Sequence, residues 1–478
     1  MISYTSHMKH QTSNVVTLLL AALLFFPACS DKNEPSNDAA SGEQQSVTPA
    51  ASTVTCEFIP YLNKLVISGA GAMPDYPKNG APWYANRGSI KTIVISDDIT
   101  TIGNYAFEGC DMEEITLPSK LTSIGNYAFA GCSSLETIAI PVSVRSFGVG
   151  AFCQCSKLLS IEVKGYVTVI PERFCAECSE LATVVIPDQV KTIGNRAFYD
   201  CKKMTKIQST ASTIYSYDFR LSNSLTKIGD YAFAGCEALT GVYIQFGTSV
   251  AVGTHAFEGC TAVVGVNLSN VASLGDAAFV ECSSLENVTY GSSIKSIGRR
   301  AFYHCTKLET ISSCGGVKSI ADSAFCHCTA LKTVGGLSTA CTTIGDRAFF
   351  NCSKLTGFTI PSSVTSIGVS AFEMCTSFVP ITIPSGIRRI EEGTFANCSV
   401  SSITIPSKVT YIGKNAFQNS EIQNVRCEAT TPPTLGDYAF STKVNRNTRN
   451  LTIPSGTKDA YVNSSWSDFF YATRMTTY

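Results

Sequence analysis

The chain has 478 residues, 44% of them apolar and 15% charged, with a formal net charge of −1. That length admits several domains or one long repeat array, while the near-zero charge supplies no pull toward nucleic acid or an acidic membrane. Two tryptophans and five histidines argue against a rich catalytic centre, and the twenty-one cysteines suggest a disulfide scaffold unless their spacing has another cause.

The amino terminus reads as an address. Lys9, with His7 and His10, precedes an apolar run from Val15 to Phe26, too short for a stable membrane span but suited to a signal peptide. The run ends in Pro27-Ala28-Cys29. A small residue directly before a cysteine resembles a bacterial lipobox, in which the cysteine is diacylated and becomes the first mature residue. Phe26 departs from that pattern, which prefers leucine there. The expectation is loss of residues 1–28 and lipidation of Cys29; an ordinary cleaved signal with an incidental cysteine is the alternative. Residues 29–55 are rich in Ser, Ala, Gln and Thr and read as a flexible tether spanning about 30 Å. Their short acidic start, through Asp31 and Glu34, resembles the export signal that places lipoproteins on the outer face of the bacterial outer membrane.

From residue 56 one repeat organises the chain. Ile124-Gly125-Asn126-Tyr127-Ala128-Phe129-Ala130-Gly131-Cys132 recurs with small changes, and its phenylalanine marks each copy: Phe107, Phe129, Phe152, Phe174, Phe198, Phe233, Phe257, Phe279, Phe302, Phe325, Phe349, Phe372, Phe395, Phe417 and Phe440. The steps are 22 to 24 residues except one of 35, from Phe198 to Phe233. The surplus, around Ser209 to Arg220, is expected to bulge as a loop from one rung. Within a unit, Ile138 and Ile140 alternate with Thr137 and Ala139, the period of a half-buried strand. Pro141 stops that strand, Gly148 suits a tight bend, and Ala151-Phe152 should drive a short turn of helix with the ring in the core. One unit cannot bury its own apolar side, so the units stack into a parallel sheet with a continuous interior. Fifteen rungs at a strand spacing of about 4.8 Å give a body of about 70 Å.

The pattern L-x-x-I-x-I-P followed by I-G-x-x-A-F-x-x-C resembles the BspA-like subclass of bacterial leucine-rich repeats, over roughly residues 56–478. The resemblance implies a leucine-rich-repeat solenoid, a parallel β-sheet with short helical turns in about fifteen rungs, capped at both ends. Leu65 through Tyr76, with Ala81-Pro82-Trp83-Tyr84, is similar to the amino-terminal cap of such proteins. Pro432-Pro433 and Tyr461-Val462 through Trp466-Ser467-Asp468-Phe469 are similar to the carboxy-terminal cap. The expected division is therefore a cap over 56–95, repeats over 96–427, and the last repeat with its cap over 428–478. Caps are needed because an open end would expose apolar surface and strand edges.

Thirteen cysteines fall in one column, three residues after the phenylalanine: Cys110, Cys132, Cys155, Cys201, Cys236, Cys260, Cys282, Cys305, Cys328, Cys352, Cys375 and Cys398, with Cys178 one place late. They read as a buried, reduced ladder that takes the place asparagine fills in other leucine-rich repeats, capping loop backbone groups. Disulfides between adjacent rungs are the alternative, since the spacing does not forbid them. Off the column, Cys153 and Cys175 on neighbouring rungs are the best candidate pair. His304-Cys305 and Cys326-His327-Cys328 tempt a zinc assignment, but inward cysteines and outward histidines cannot converge on one ion. No metal and no cofactor are expected, and no P-loop, G-x-S-x-G or H-E-x-x-H motif occurs.

Function is expected on the outward strand positions, which run Thr116, Ala139, Glu162, Val185, Gln208, Tyr243, Asn267, Thr289, Ser312, Gly335, Thr359, Thr382, Thr404, Arg426 and Thr452. This face is small, polar and nearly neutral, which suits either mere solubility or a docking platform. Tyr215, Tyr217 and Tyr243, with Asn267 and Thr289, form the candidate binding face, because aromatic anchors carry much of the energy in binding patches. The resemblance implies a surface adhesin that binds a host-matrix or bacterial protein. Glycan capture, or an envelope role without a ligand, are the other readings; nucleic acid is not an expected partner.

Overall fold

The computed structural model describes residues 53–209, 219–244, 249–312, 314–337, 339–441 and 444–478, with only the backbone of Phe219 and Arg220. All lie in the unit Ala50–Tyr478. Cys29, Tyr215 and Tyr217 fall outside the described residues.

The chain winds as a right-through stack of rungs in which strands of successive repeats pair in parallel. Eleven of them make one sheet, from Glu114–Ile115 to Thr333–Val334, with aligned registers such as Ile138 beside Ile161 and Val266 beside Val288. The alternation read from the sequence holds, since Thr137–Ile140 buries Ile138 and Ile140 and exposes Thr137 and Ala139. A second file of short strands, Ser123–Ile124 and its equivalents, forms smaller parallel sheets across the rung. Between the two files lie the marker phenylalanines. Their rings form one column through the core, neighbouring centroids 5.1–5.7 Å apart in most steps, as for Phe257–Phe279 at 5.1 Å and Phe372–Phe395 at 5.7 Å.

The expected helical turn is absent from the repeats; tight turns stand in its place. In most, the residues two before and two after the phenylalanine are left-handed, for example Arg300 (φ 53°) and His304 (φ 60°) around Phe302; in the rung of Phe174 they are Arg173 (φ 56°) and Glu177 (φ 64°), centred on Cys175. Alternate N–H groups of the turn donate to the next rung: Tyr105 to Asn126 O at 2.9 Å, Phe107 to Ala128 O at 2.8 Å and Gly109 to Ala130 O at 2.7 Å. Donors spent between rungs cannot close the i→i−4 bonds of a helix. Gly148 also has a role other than the expected bend. Its φ is not in the left-handed region, yet a Cβ there would stand 2.3 Å from Asn126 N and 2.5 Å from the Gly125 carbonyl carbon. It is glycine because two backbones touch.

The 35-residue step does more than bulge. Phe219–Arg220 returns to the main sheet, between Lys206–Ser209 and Gly241–Tyr243, and adds a strand there. On the turn side Phe198 and Phe233 still stack at 5.4 Å, so the turn column runs past this added strand unbroken.

The parallel sheet is also less continuous than the repeat implies. Beyond Thr333–Val334 only an isolated bridge, Thr333 to Gly357, continues it, and pairing resumes at Ser402–Ile405. Phe358 and Phe378 occupy inward strand-side positions in that stretch. Phe358 lies 5.0 Å from Phe349 and 5.8 Å from Phe378, while Phe378 lies 4.9 Å from Phe372. The interruption thus coincides with buried rings at positions where other rungs carry Ile, Val, Leu or Met.

Both ends are closed by aromatic residues. Trp83 stacks on Phe107 at 6.2 Å, and its Nε1 donates to Ala106 O at 2.9 Å. Thr55–Ile59 runs antiparallel to Lys64–Ser68, which pairs with Thr92–Ile95. At the other end Trp466, fully buried, donates to Pro433 O at 2.8 Å, and Phe470 meets Phe440 edge-on at 5.4 Å. The helix Lys458–Val462 places Tyr461 so that its hydroxyl donates to Ala429 O at 2.7 Å.

Candidate functional site

Two ladders set the rung geometry on which any surface site depends. In the first, the column thiols from Cys132 onward donate to the carbonyl one rung back: Cys132 Sγ to Phe107 O at 3.1 Å, Cys282 to Phe257 O at 3.3 Å, Cys305 to Phe279 O at 3.1 Å. Ser420 continues the series with Oγ donating to Phe395 O at 3.0 Å. In the second, an Asn or Asp side chain three residues before the phenylalanine accepts from the next rung's backbone. Asn126 Oδ1 takes the Val149 N–H at 2.7 Å, and Asp276 Oδ1 takes the Arg299 N–H at 2.8 Å. The capping role expected of the cysteines is thus divided between two residue types.

Cys178 is in register after all. Cys175 N–H donates to Ala197 O and Phe152 N–H to Phe174 O, so Cys175 takes the ring position and Phe174 the alanine position. Phe174 therefore meets Phe152 and Phe198 edge-on, both at 87°. Cys175 faces the main core, whereas Cys153 belongs to a small outer cluster with Ala130 and Ala176. The two point to opposite sides of the turn and are not a disulfide pair.

Burial pushes most of the column thiols up, Cys260 and Cys398 to about 12, while Cys155, which accepts from the Cys132 and Cys178 thiols, is shifted down. For the raised thiols the sign is that of a neutral form held by the fold: their stability is full below the free thiol value of about 8.5 and is lost as pH rises toward 12. Alkylation at neutral pH should therefore be slow for the folded protein and fast after denaturation without any reductant. If reductant were needed, disulfides would be present. Cys282→Ala should lose about 1–2 kcal/mol, from the lost thiol bond to Phe257 O and the small space left behind, with the Cys260 N–H as that carbonyl's remaining partner. Cys282→Ser should cost less, because a hydroxyl can donate as Ser420 does; equal losses in thermal melts would refute the bond's contribution.

On the sheet face, Tyr243, Asn267, Thr289 and Ser312 are successive register partners and form one outward row. Gly241, Gly265, Asn287 and Thr310 form the other outward row on the same strands. The Tyr243 ring lies back over Gly241, where a Cβ would meet it at 2.6 Å, and its hydroxyl reaches toward Gly265, at 3.7 Å. Asn267 Oδ1 accepts from Ser269 N at 3.0 Å and Ser269 Oγ at 2.7 Å; Ser312 Oγ lies 3.4 Å from Thr289 Oγ1. These eight outward positions carry no charge. Charges border them: Arg220 is the register neighbour of Tyr243, and the exposed pair Lys332–Glu309 at 2.8 Å, beside Thr310, contributes little.

The turn face holds aromatic residues that a reading confined to strands overlooks. Tyr105 and Tyr127 stack at 5.2 Å, and Tyr127 continues over Gly150. Tyr231 stacks on His255 at 4.7 Å, with the Arg196 guanidinium 5.3 Å from the Tyr231 ring. Tyr303, His304, His327 and Phe350 adjoin one another farther along. The signal was present in the sequence as the residues two before and one after each phenylalanine. Cys305 and Cys328 turn inward to Phe279 O and Phe302 O, away from His304 and His327. Among the described residues no three His, Cys, Asp or Glu side chains converge.

A family model for the BspA type leucine rich repeat region matches residues 80–205, 211–332 and 342–466. The chain belongs to the BspA-type leucine-rich-repeat family. A leucine-rich repeat protein from Bacteroides ovatus is 23% identical with a TM-score of 0.56, over 81% of this chain and 95% of that one, a likeness of fold. One from Eubacterium ventriosum is 26% identical with a TM-score of 0.48, covering 69% and 94%. A leucine rich cell surface protein from Faecalibacterium prausnitzii is 24% identical with a TM-score of 0.38, covering 69% and 96%. No curated protein matches the chain. Among the described residues, no helix of this BspA-type solenoid is long and apolar enough to cross a membrane.

Proposed function

We propose that this BspA-type protein is a cell-surface adhesin, held to the outer face of the bacterial outer membrane by a lipid on Cys29, that binds a host-matrix or bacterial protein. The observation that carries the reading is the uncharged four-strand patch with Tyr243 laid over Gly241 and Gly265. Solenoids of this kind bind through extended repeat faces. A tyrosine ring offers apolar area with a hydrogen-bonding tip at little rotamer cost. The same ring beside amide and hydroxyl groups favours a second reading, capture of a glycan whose apolar sugar face stacks on it.

Protein and glycan arrays probed with the soluble unit from residue 50 onward separate these readings, and a saturable hit on neither points to an envelope role without a ligand. Replacing Tyr215, Tyr217 and Tyr243 together by alanine should weaken binding at least about 30-fold, the loss of one aromatic anchor. The thermal midpoint should hardly move, and ordinary salt should have little effect, because the patch is uncharged. Normal binding by the triple variant would move the site elsewhere on the solenoid. For the anchor, mass spectrometry of the native protein should find acylated Cys29 as its first residue; an unmodified terminus at any other residue refutes it.

A further inference from the structure

The second residue after the phenylalanine is left-handed in rung after rung, with φ of 60° at His304, 64° at His327 and 58° at Asn351. The same backbone conformation one rung apart sends these side chains out side by side. His304 and His327 come to rest with ring centroids 4.5 Å apart and planes tilted by 56°. Two imidazoles that share one ion at 2.0–2.1 Å, with a near-tetrahedral angle, have centroids about 5 Å apart. The pair is thus within a small side-chain adjustment of chelating geometry.

Neighbours set the orientation of both rings. Asn351 Nδ2 lies 3.1 Å from His327 Nδ1 and donates to it. Binding an ion at Nε2 requires this amide to turn over, so that its oxygen accepts from Nδ1–H. Tyr303 stacks on His304 at 4.4 Å and limits that ring's freedom. Burial and the neighbouring His304 lower the His327 pKa.

We propose that His304 and His327 form a two-imidazole site, completed by water, for one divalent transition-metal ion, with Cu²⁺ bound more tightly than Zn²⁺. The donor set selects the ion: imidazole nitrogen suits copper, nickel and zinc, whereas Ca²⁺ and Mg²⁺ require oxygen ligands. The exposed Arg300, on the turn of His304, and Arg347, on the rung after His327, oppose a loosely held cation, so coordination and not general attraction must hold the ion.

The test is calorimetric titration of the metal-free full chain with Cu²⁺ or Zn²⁺ at neutral pH, alongside His304→Asn, His327→Asn and His255→Asn. Asparagine accepts a left-handed backbone, so these variants should keep the thermal midpoint of the parent. One site should vanish in either of the first two variants and persist in the third. Asn351→Gly, also tolerant of the backbone, should weaken it about 10-fold or more by freeing the His327 ring. The Cu²⁺ resonance spectrum of the bound site should show two equivalent-type nitrogen ligands, lost with either imidazole. Undiminished binding in both His304→Asn and His327→Asn, or displacement of the ion by excess Ca²⁺, would overturn the assignment.

Discussion

Phe279→Ala should destabilise the solenoid by about 3–5 kcal/mol. The ring is fully buried and lies 5.1 Å from Phe257 and 5.6 Å from Phe302. Its neighbours cannot close on the space, because each is tied to its own rung: Phe257 N–H donates to Ala278 O, Phe279 N–H to Ala301 O and Phe302 N–H to Ala324 O. A solenoid's stability is a sum over adjacent rungs, so a gap at one interface should also loosen the coupling between the two halves. Urea unfolding followed by circular dichroism should show a lower midpoint and a broadened or split transition. A loss under about 1 kcal/mol would mean that the column tolerates a missing ring and that the ladders alone carry the stack.

Gly148→Ala should also be severe, about 3 kcal/mol, although it adds one methyl group. The obstacles are the backbone of Asn126 and Gly125 on the preceding rung, which cannot swing aside as a side chain can. Separating the rungs would stretch the 2.8 Å bond from Gly148 N to Ile124 O and the 2.7 Å bond from Val149 N to Asn126 Oδ1. Gly315→Ala is the control. Nothing lies within 4 Å of a Cβ there, so it should be neutral or slightly stabilising. Equal midpoints for the two variants in thermal melts would contradict the close-approach account.

Much of the fold was legible because a repeat states the same instruction many times. The alternation at Ile138 and Ile140, the phenylalanine column and the inward thiols follow from local period alone. Positions that depart from the consensus were harder to read. Phe174-Cys175 looked like a displaced cysteine column, and the hydrogen bonds show an exchange of ring and alanine positions in an unbroken register. Phe358 and Phe378 satisfy the apolar pattern, yet the sheet is interrupted in their rungs, since hydrophobicity fixes which side a residue faces and not whether neighbouring strands pair.

For the candidate site the division is similar. The outward row of Tyr243, Asn267 and Thr289 could be counted from the strand period, and the three are register neighbours. That the Tyr243 ring lies on glycines, and that His304 meets His327, required the turn to be folded. The sequence by itself determined the repeat, its inward residues and the number of marks, because these depend on periodicity and the transfer of apolar groups from water. The tertiary structure alone decided the role of Gly148, the two capping ladders and the side-chain columns of the turn. Those depend on the distance between rungs and on left-handed backbone at non-glycine residues, which nearest-neighbour chemistry along the chain does not encode.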